Sequence, residues 1–153
     1  MRRLPLLAAL AAATACDGIV TIEEGPTPQR AVPPSEVAKV DLLDPRRRLP
    51  PSARNVRVAS KSFLDTLVWV RFDAPAGEAR AFAETMIGQP LTRDAFVNMR
   101  APDDLDWWIK EKALERAERG EDIAHDGDHL PPSSVALIEN GESATVWLLT
   151  FSN

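Results

Sequence analysis

From Asn55 onward the chain carries a regular pattern of apolar positions whose period changes several times. Val56 and Val58 alternate with Arg57 and Ala59, the two-residue period of a half-buried strand. After a polar break at Ser60 to Ser62, the run Thr66 to Phe72 (TLVWVRF) is β-branched and aromatic. Val68, Val70 and Phe72 fall on one face of that run and Leu67 and Trp69 on the other, which predicts a strand covered on both sides. The two strands and their short connection predict a hairpin.

At Asp73-Ala74-Pro75 the period becomes helical. Aspartate suits an N-cap and proline the first turn. Ala79, Phe82, Ala83, Met86 and Ile87 make one apolar stripe, with Glu78, Arg80 and Glu84 outside it, and Gly88 stands where a C′ glycine stops a helix. A second helix is predicted over 103–119. Its apolar positions are Leu105, Trp108, Ile109, Ala113 and Ala117; Asp103, Asp104 and Asp106 suit its start, and Arg116 and Arg119 its end. Two further strands, Ser134 to Ile138 and Ala144 to Phe151, flank Glu139-Asn140-Gly141-Glu142, where Asn-Gly between apolar alternations signals a hairpin. In the last strand Trp147, Leu149 and Phe151 share one face and Val146 and Leu148 the other. The predicted order is β-β-α-α-β-β, an α+β domain over 53–153: a four-stranded antiparallel sheet with one or two helices packed on one face.

Before this domain the pattern differs. Pro26, Pro28, Pro33, Pro34, Pro45, Pro50 and Pro51 are 7 of the 13 prolines, a density that forbids a continuous helix or central strand. Residues 16–52 therefore read as a semi-extended tether, interrupted by the more apolar Glu36 to Leu43 (EVAKVDLL). Arg46-Arg47-Arg48 is its strongest positive cluster. Such a run is either solvated linker charge or a contact to an anionic leaflet, worth about 1 kcal/mol per arginine.

The first 15 residues have another organisation. Arg2 and Arg3 precede the uncharged run Leu4 to Ala15, and Cys16 follows the small residues Ala13, Thr14 and Ala15. A basic start, an apolar stretch and a small-residue cleavage site are the parts of a secretory signal. The run is 12 residues long, against about 20 for a membrane-spanning helix. Ala13-Thr14-Ala15-Cys16 resembles the lipobox of bacterial lipoproteins, with Ala13 where leucine is commonest. The resemblance implies diacylation of the Cys16 thiol (palmitate-type chains), loss of residues 1–15 and acylation of the new amino terminus. It also implies a cell-envelope location, with the domain on the periplasmic or extracellular side. Each buried methylene contributes about 0.8 kcal/mol, so two or three chains hold a protein on a bilayer where one does so only marginally. Cys16 is the single cysteine, so an internal disulfide is impossible. In enterobacterial members of this class, aspartate after the cysteine, as at Asp17, resembles a signal for inner-membrane retention; the choice of inner or outer membrane stays open.

Charge and chemistry narrow the picture little further. Cleavage before Cys16 removes two of the 18 basic residues and none of the 23 acidic ones, leaving 138 residues with a formal charge of −7. That balance, without a long basic face, argues against nucleic-acid binding. The 7 glycines form no phosphate-binding loop and no serine sits in a Gly-x-Ser-x-Gly elbow; no cofactor is implied. Both histidines fall in His125-Asp126-Gly127-Asp128-His129. His125, Asp126, Asp128 and His129 are ligand types suited to zinc, manganese or iron, yet the same polar run before Pro131-Pro132 reads equally as a solvated loop. Trp107 and Trp108 are either an aromatic binding surface for a glycan or protein partner, or one core ring with one at its edge. The sequence thus favours a lipid-anchored, non-catalytic binding or assembly module of the envelope. The alternative is a membrane-tethered metal-dependent hydrolase using the His125–His129 loop.

Overall fold

The computed structural model describes residues 29–31, 48–62, 66–122 and 133–152; the signal, Cys16 and the His125–His129 stretch lie outside the described residues. Six strands form one sheet: β1 (Gln29–Ala31), β2 (Arg54–Ser62), β3 (Thr66–Pro75), β4 (Glu118–Glu121), β5 (Ser133–Asn140) and β6 (Ser143–Ser152). Their order is β1-β2-β3-β6-β5-β4, and every pairing is antiparallel. The α+β class and the four expected strands are present, but the expected count of four is too low. Short strands border them on each side: β1 lies within the stretch read as tether, and β4 begins at the end of the predicted second helix and runs two residues past it.

The central strands carry the alternation into two cores. Val68, Val70 and Phe72 of β3 join Val146 and Leu148 of β6 and Val135 and Leu137 of β5 on one face. Against that face packs α1 (Ala76–Ile87), burying Ala79, Phe82, Ala83, Met86 and Ile87, the predicted stripe. The rings of Phe72 and Phe82 meet edge to face, with centroids 5.3 Å apart. Gly88 caps the helix in the left-handed conformation, as expected.

The start of α1 differs from expectation. Asp73 is not its N-cap: β3 stays paired with β6 through Pro75, opposite Ser143, and Pro75 occupies the cap position with no side-chain cap bond. The N–H of Ala76 donates instead to the carbonyl of Glu142 in the β5–β6 turn, 2.9 Å away. A main-chain carbonyl thus takes an N–H that the helix leaves unpaired. Asp73 is thereby released for other work.

The hairpin turn is also displaced by one residue from the Asn-Gly pair. Asn140 pairs with Ser143, so the two-residue loop is Gly141-Glu142, and of these only Gly141 (φ 69°) has positive φ. A type I′ turn needs positive φ at both central residues. Positive φ at the first alone is the type II′ pattern, which places glycine there.

The second predicted helix is the main correction. Of 103–119 only α2 (Glu111–Leu114) is α-helical, and the segment covers the sheet face opposite α1, so the cover is not confined to one face. Leu105, Trp108, Ile109 and Ala117 are buried as predicted, Ala113 packs against them, and Val97 and Met99 join them. Three-residue turns carry the chain there: Leu105 N–H donates to Pro102 O and Trp108 N–H to Leu105 O. Successive turns return side chains inward every three or four residues, the same spacing as a helix face. Beyond α2, Arg119 and Thr92 exchange both main-chain bonds (2.8 and 3.0 Å), which covers the outer edge of β4.

Candidate functional site

Two features stand apart from simple core packing: the anchoring of the irregular segment and a polar cleft at one end of the sheet. The anchoring rests on tryptophan. Trp69 donates its indole N–H to the carbonyl of Arg100 (3.0 Å), Trp108 to that of Met99 (2.7 Å) and Trp147 to that of Trp107 (3.2 Å). Buried indoles need a partner for that group, and here each partner is main chain of the covering segment. Arg119 adds two bonds at 2.6 Å, to the carbonyls of Ala95 and Leu114. Trp107 and Trp108 pack edge to face with centroids 5.8 Å apart; Trp108 is buried and Trp107 half-buried. Any ligand contact from this pair falls to Trp107.

The cleft lies where the start of β2, the end of β3 and the β5–β6 turn meet, on the face that the irregular segment covers elsewhere. Its volume is about 700 Å³. A β-bulge shapes it: Arg54 pairs with Asp73 and Arg57 with Arg71, so Asn55 and Val56 stand opposite Phe72 alone. Asn55 has φ +50°, the single non-glycine with positive φ among the described residues. Asparagine tolerates that region better than most residues, and bulges of this kind re-aim side chains.

Asp73 is the hub of the cleft floor. One carboxylate oxygen accepts from Asn55 Nδ2 (2.7 Å); the other accepts from Arg71 Nη2 (3.0 Å) and Thr145 Oγ1 (2.8 Å). Arg71 Nη1 also reaches the carbonyl of Asn55 (3.4 Å), which ties the bulge to the hub. Arg54, Asn140, Glu142 and Ser143 complete the walls. Asp73 faces three donors, so it forms the hydrogen-bonding platform of the cleft floor.

A second charged cluster ties secondary-structure elements together. Arg80 of α1 bonds Glu139 of β5 (2.8 Å) and Glu118 of β4 and lies 3.8 Å from Glu84, tying the helix to two strands. Hydrogen bonds to Glu139 and then Glu118 hold its guanidinium still more firmly protonated than usual.

Of the residues singled out in the sequence, Cys16 and His125, Asp126, Asp128 and His129 lie outside the described residues. Among the described residues no group of three or more histidine, cysteine, aspartate or glutamate side chains is placed to hold a metal, and no helix is long and apolar enough to cross a membrane. Sequence reasoning passed over Asn55, Arg71, Asp73 and Thr145. An asparagine at the head of an alternating run is a weak cue for the bulge; the Asp73–Thr145 contact, 72 residues apart, depends on β3–β6 register. Compared with family models, curated proteins and solved structures, the chain matches none.

Proposed function

We propose that this chain is a bacterial envelope lipoprotein, lipid-anchored through Cys16, whose α+β domain is a non-catalytic binding module. The observation that carries the anchor is the signal-like segment ending in Ala13-Thr14-Ala15-Cys16. Export places the domain outside the cytoplasm, and acyl chains on Cys16 hold it at a membrane.

Binding without catalysis is favoured by the state of the cleft. Its floor carboxylate, Asp73, already accepts three hydrogen bonds, and Glu142 at its rim is exposed. An open polar cleft of this volume falls within the usual range for small-ligand sites, roughly 300–1,000 Å³. Partners in this reading are the bilayer, through Cys16, and an envelope protein or glycan at the domain.

Intact mass spectrometry of the protein purified from bacterial membranes tests the anchor. The expected species begins at Cys16 and carries two or three acyl chains. A mature species that begins elsewhere with an unmodified thiol contradicts it.

A further inference from the structure

The arginines around the cleft are not all neutralised. Arg57 and Arg71 are directly opposite in the β2–β3 register and project to the same face, where paired like charges disfavour folding. Arg71 has Asp73 at 3.0 Å, and Asp73 also accepts from Asn55 and Thr145. Arg54 and Arg57 are exposed and make no ion pair among the described residues. Arg80 offers the contrast, with three glutamates around a single guanidinium. Arg54 lines the cleft wall directly before the bulge at Asn55, which re-aims the side chains around it.

We infer that the Arg54 and Arg71 wall of the cleft, with Arg57 opposite Arg71 in the register just outside its lining, binds the oxyanion group, carboxylate or phosphate, of a small polar ligand. Guanidinium groups match both anions through paired N–H donors. Asn140 and Ser143, across the cleft, supply amide and hydroxyl groups for the neutral remainder of the ligand. Glu142 at the same rim repels a second anionic group there, which sets the orientation. This inference rests on the binding-module reading and names its ligand chemistry.

Calorimetric titration of the full-length protein in detergent, with inorganic phosphate and separately with citrate, tests it. Saturable binding of either anion supports the inference, and the stronger of the two identifies the source as phosphate or carboxylate. Arg54→Gln and Arg57→Gln, both exposed positions, each weaken that binding about tenfold, and the weakening is mirrored by raised salt. Glu142→Gln, in the turn, tightens it two- to fivefold with an unchanged melting temperature. No saturable heat with either anion overturns the inference, as does binding that the two arginine substitutions leave unchanged. The acylation state of Cys16 is unaffected by either result, so failure here is distinct from failure of the anchor.

Discussion

The indole N–H of Trp69, in the middle of β3, points out of the sheet and donates to the main-chain carbonyl of Arg100, 3.0 Å away and 31 residues along the chain. With the bond from Trp147 of β6 it fastens a long irregular segment to the sheet face opposite α1, and Trp108 braces that segment internally through Met99. Trp69→Phe keeps most of the buried ring but leaves the Arg100 carbonyl without this donor, at a cost of about 1–3 kcal/mol. The urea midpoint should fall with little change in slope, and amide exchange between 97 and 109 should quicken before that of the strands. Unchanged exchange there would show that the indole bond does not hold the segment.

Gly120 in β4 gives a test of how closely helix and sheet edge approach. A Cβ at this position would lie 2.2 Å from Cδ1 of Ile87, which is itself buried at the end of α1. Gly120→Ala should cost about 1–3 kcal/mol as Ile87 is displaced. Removing the obstructing methyl with Ile87→Val should make the pair less destabilised than the sum of the single changes by about 0.5 kcal/mol or more. Additive costs would mean that the clash is relieved by backbone movement instead.

Asp73 separates two accounts of the junction between β3 and α1. As an N-cap, its loss would fray the first turn of the helix. As the acceptor for Asn55, Arg71 and Thr145, its loss disturbs the cleft and leaves the helix start bonded to Glu142. Asp73→Ala is expected to destabilise by about 1–3 kcal/mol through the unpaired donors. Chemical shifts should move at Asn55 and Thr145 while residues 76–79 keep their helical values. Helical fraying at 76–79 with a quiet Asn55 would restore the capping account.

Arg80 links α1 to β4 and β5 at the surface, with its side chain about one-third exposed (33%), so the linkage is modest and screened. Arg80→Ala is expected to cost about 1 kcal/mol in dilute buffer. The difference between wild type and variant should shrink at about 1 M salt, where the screening length is near 3 Å. A difference indifferent to salt would assign the loss to the aliphatic stem packed on the sheet.

Much of this fold is legible in the sequence where one local period decides the element. The β3 and β6 alternations each place the right residues on the right face, and the α1 stripe is buried as read. Residues 103–119 show the limit: turns and a helix both return an apolar side chain every three or four positions, so the inward set is readable and the element is not. β4 (ERGE) has no apolar alternation because its defining contact is the Gly120 backbone against Ile87. The cleft was hidden for a related reason. Arg71, Asp73, Asn55 and Thr145 are ordinary strand residues until the bulge and the β3–β6 register bring them together.

In the proposed function, Cys16 holds a binding domain at a membrane. Fractionation of cells producing wild type or Cys16→Ala tests it most directly. Wild type should pellet with membranes, resist high-salt extraction and dissolve in detergent, while the Cys16→Ala chain should fail to yield a membrane-bound mature form. A Cys16→Ala protein recovered in membranes as a mature species, to the same extent as wild type, would contradict it.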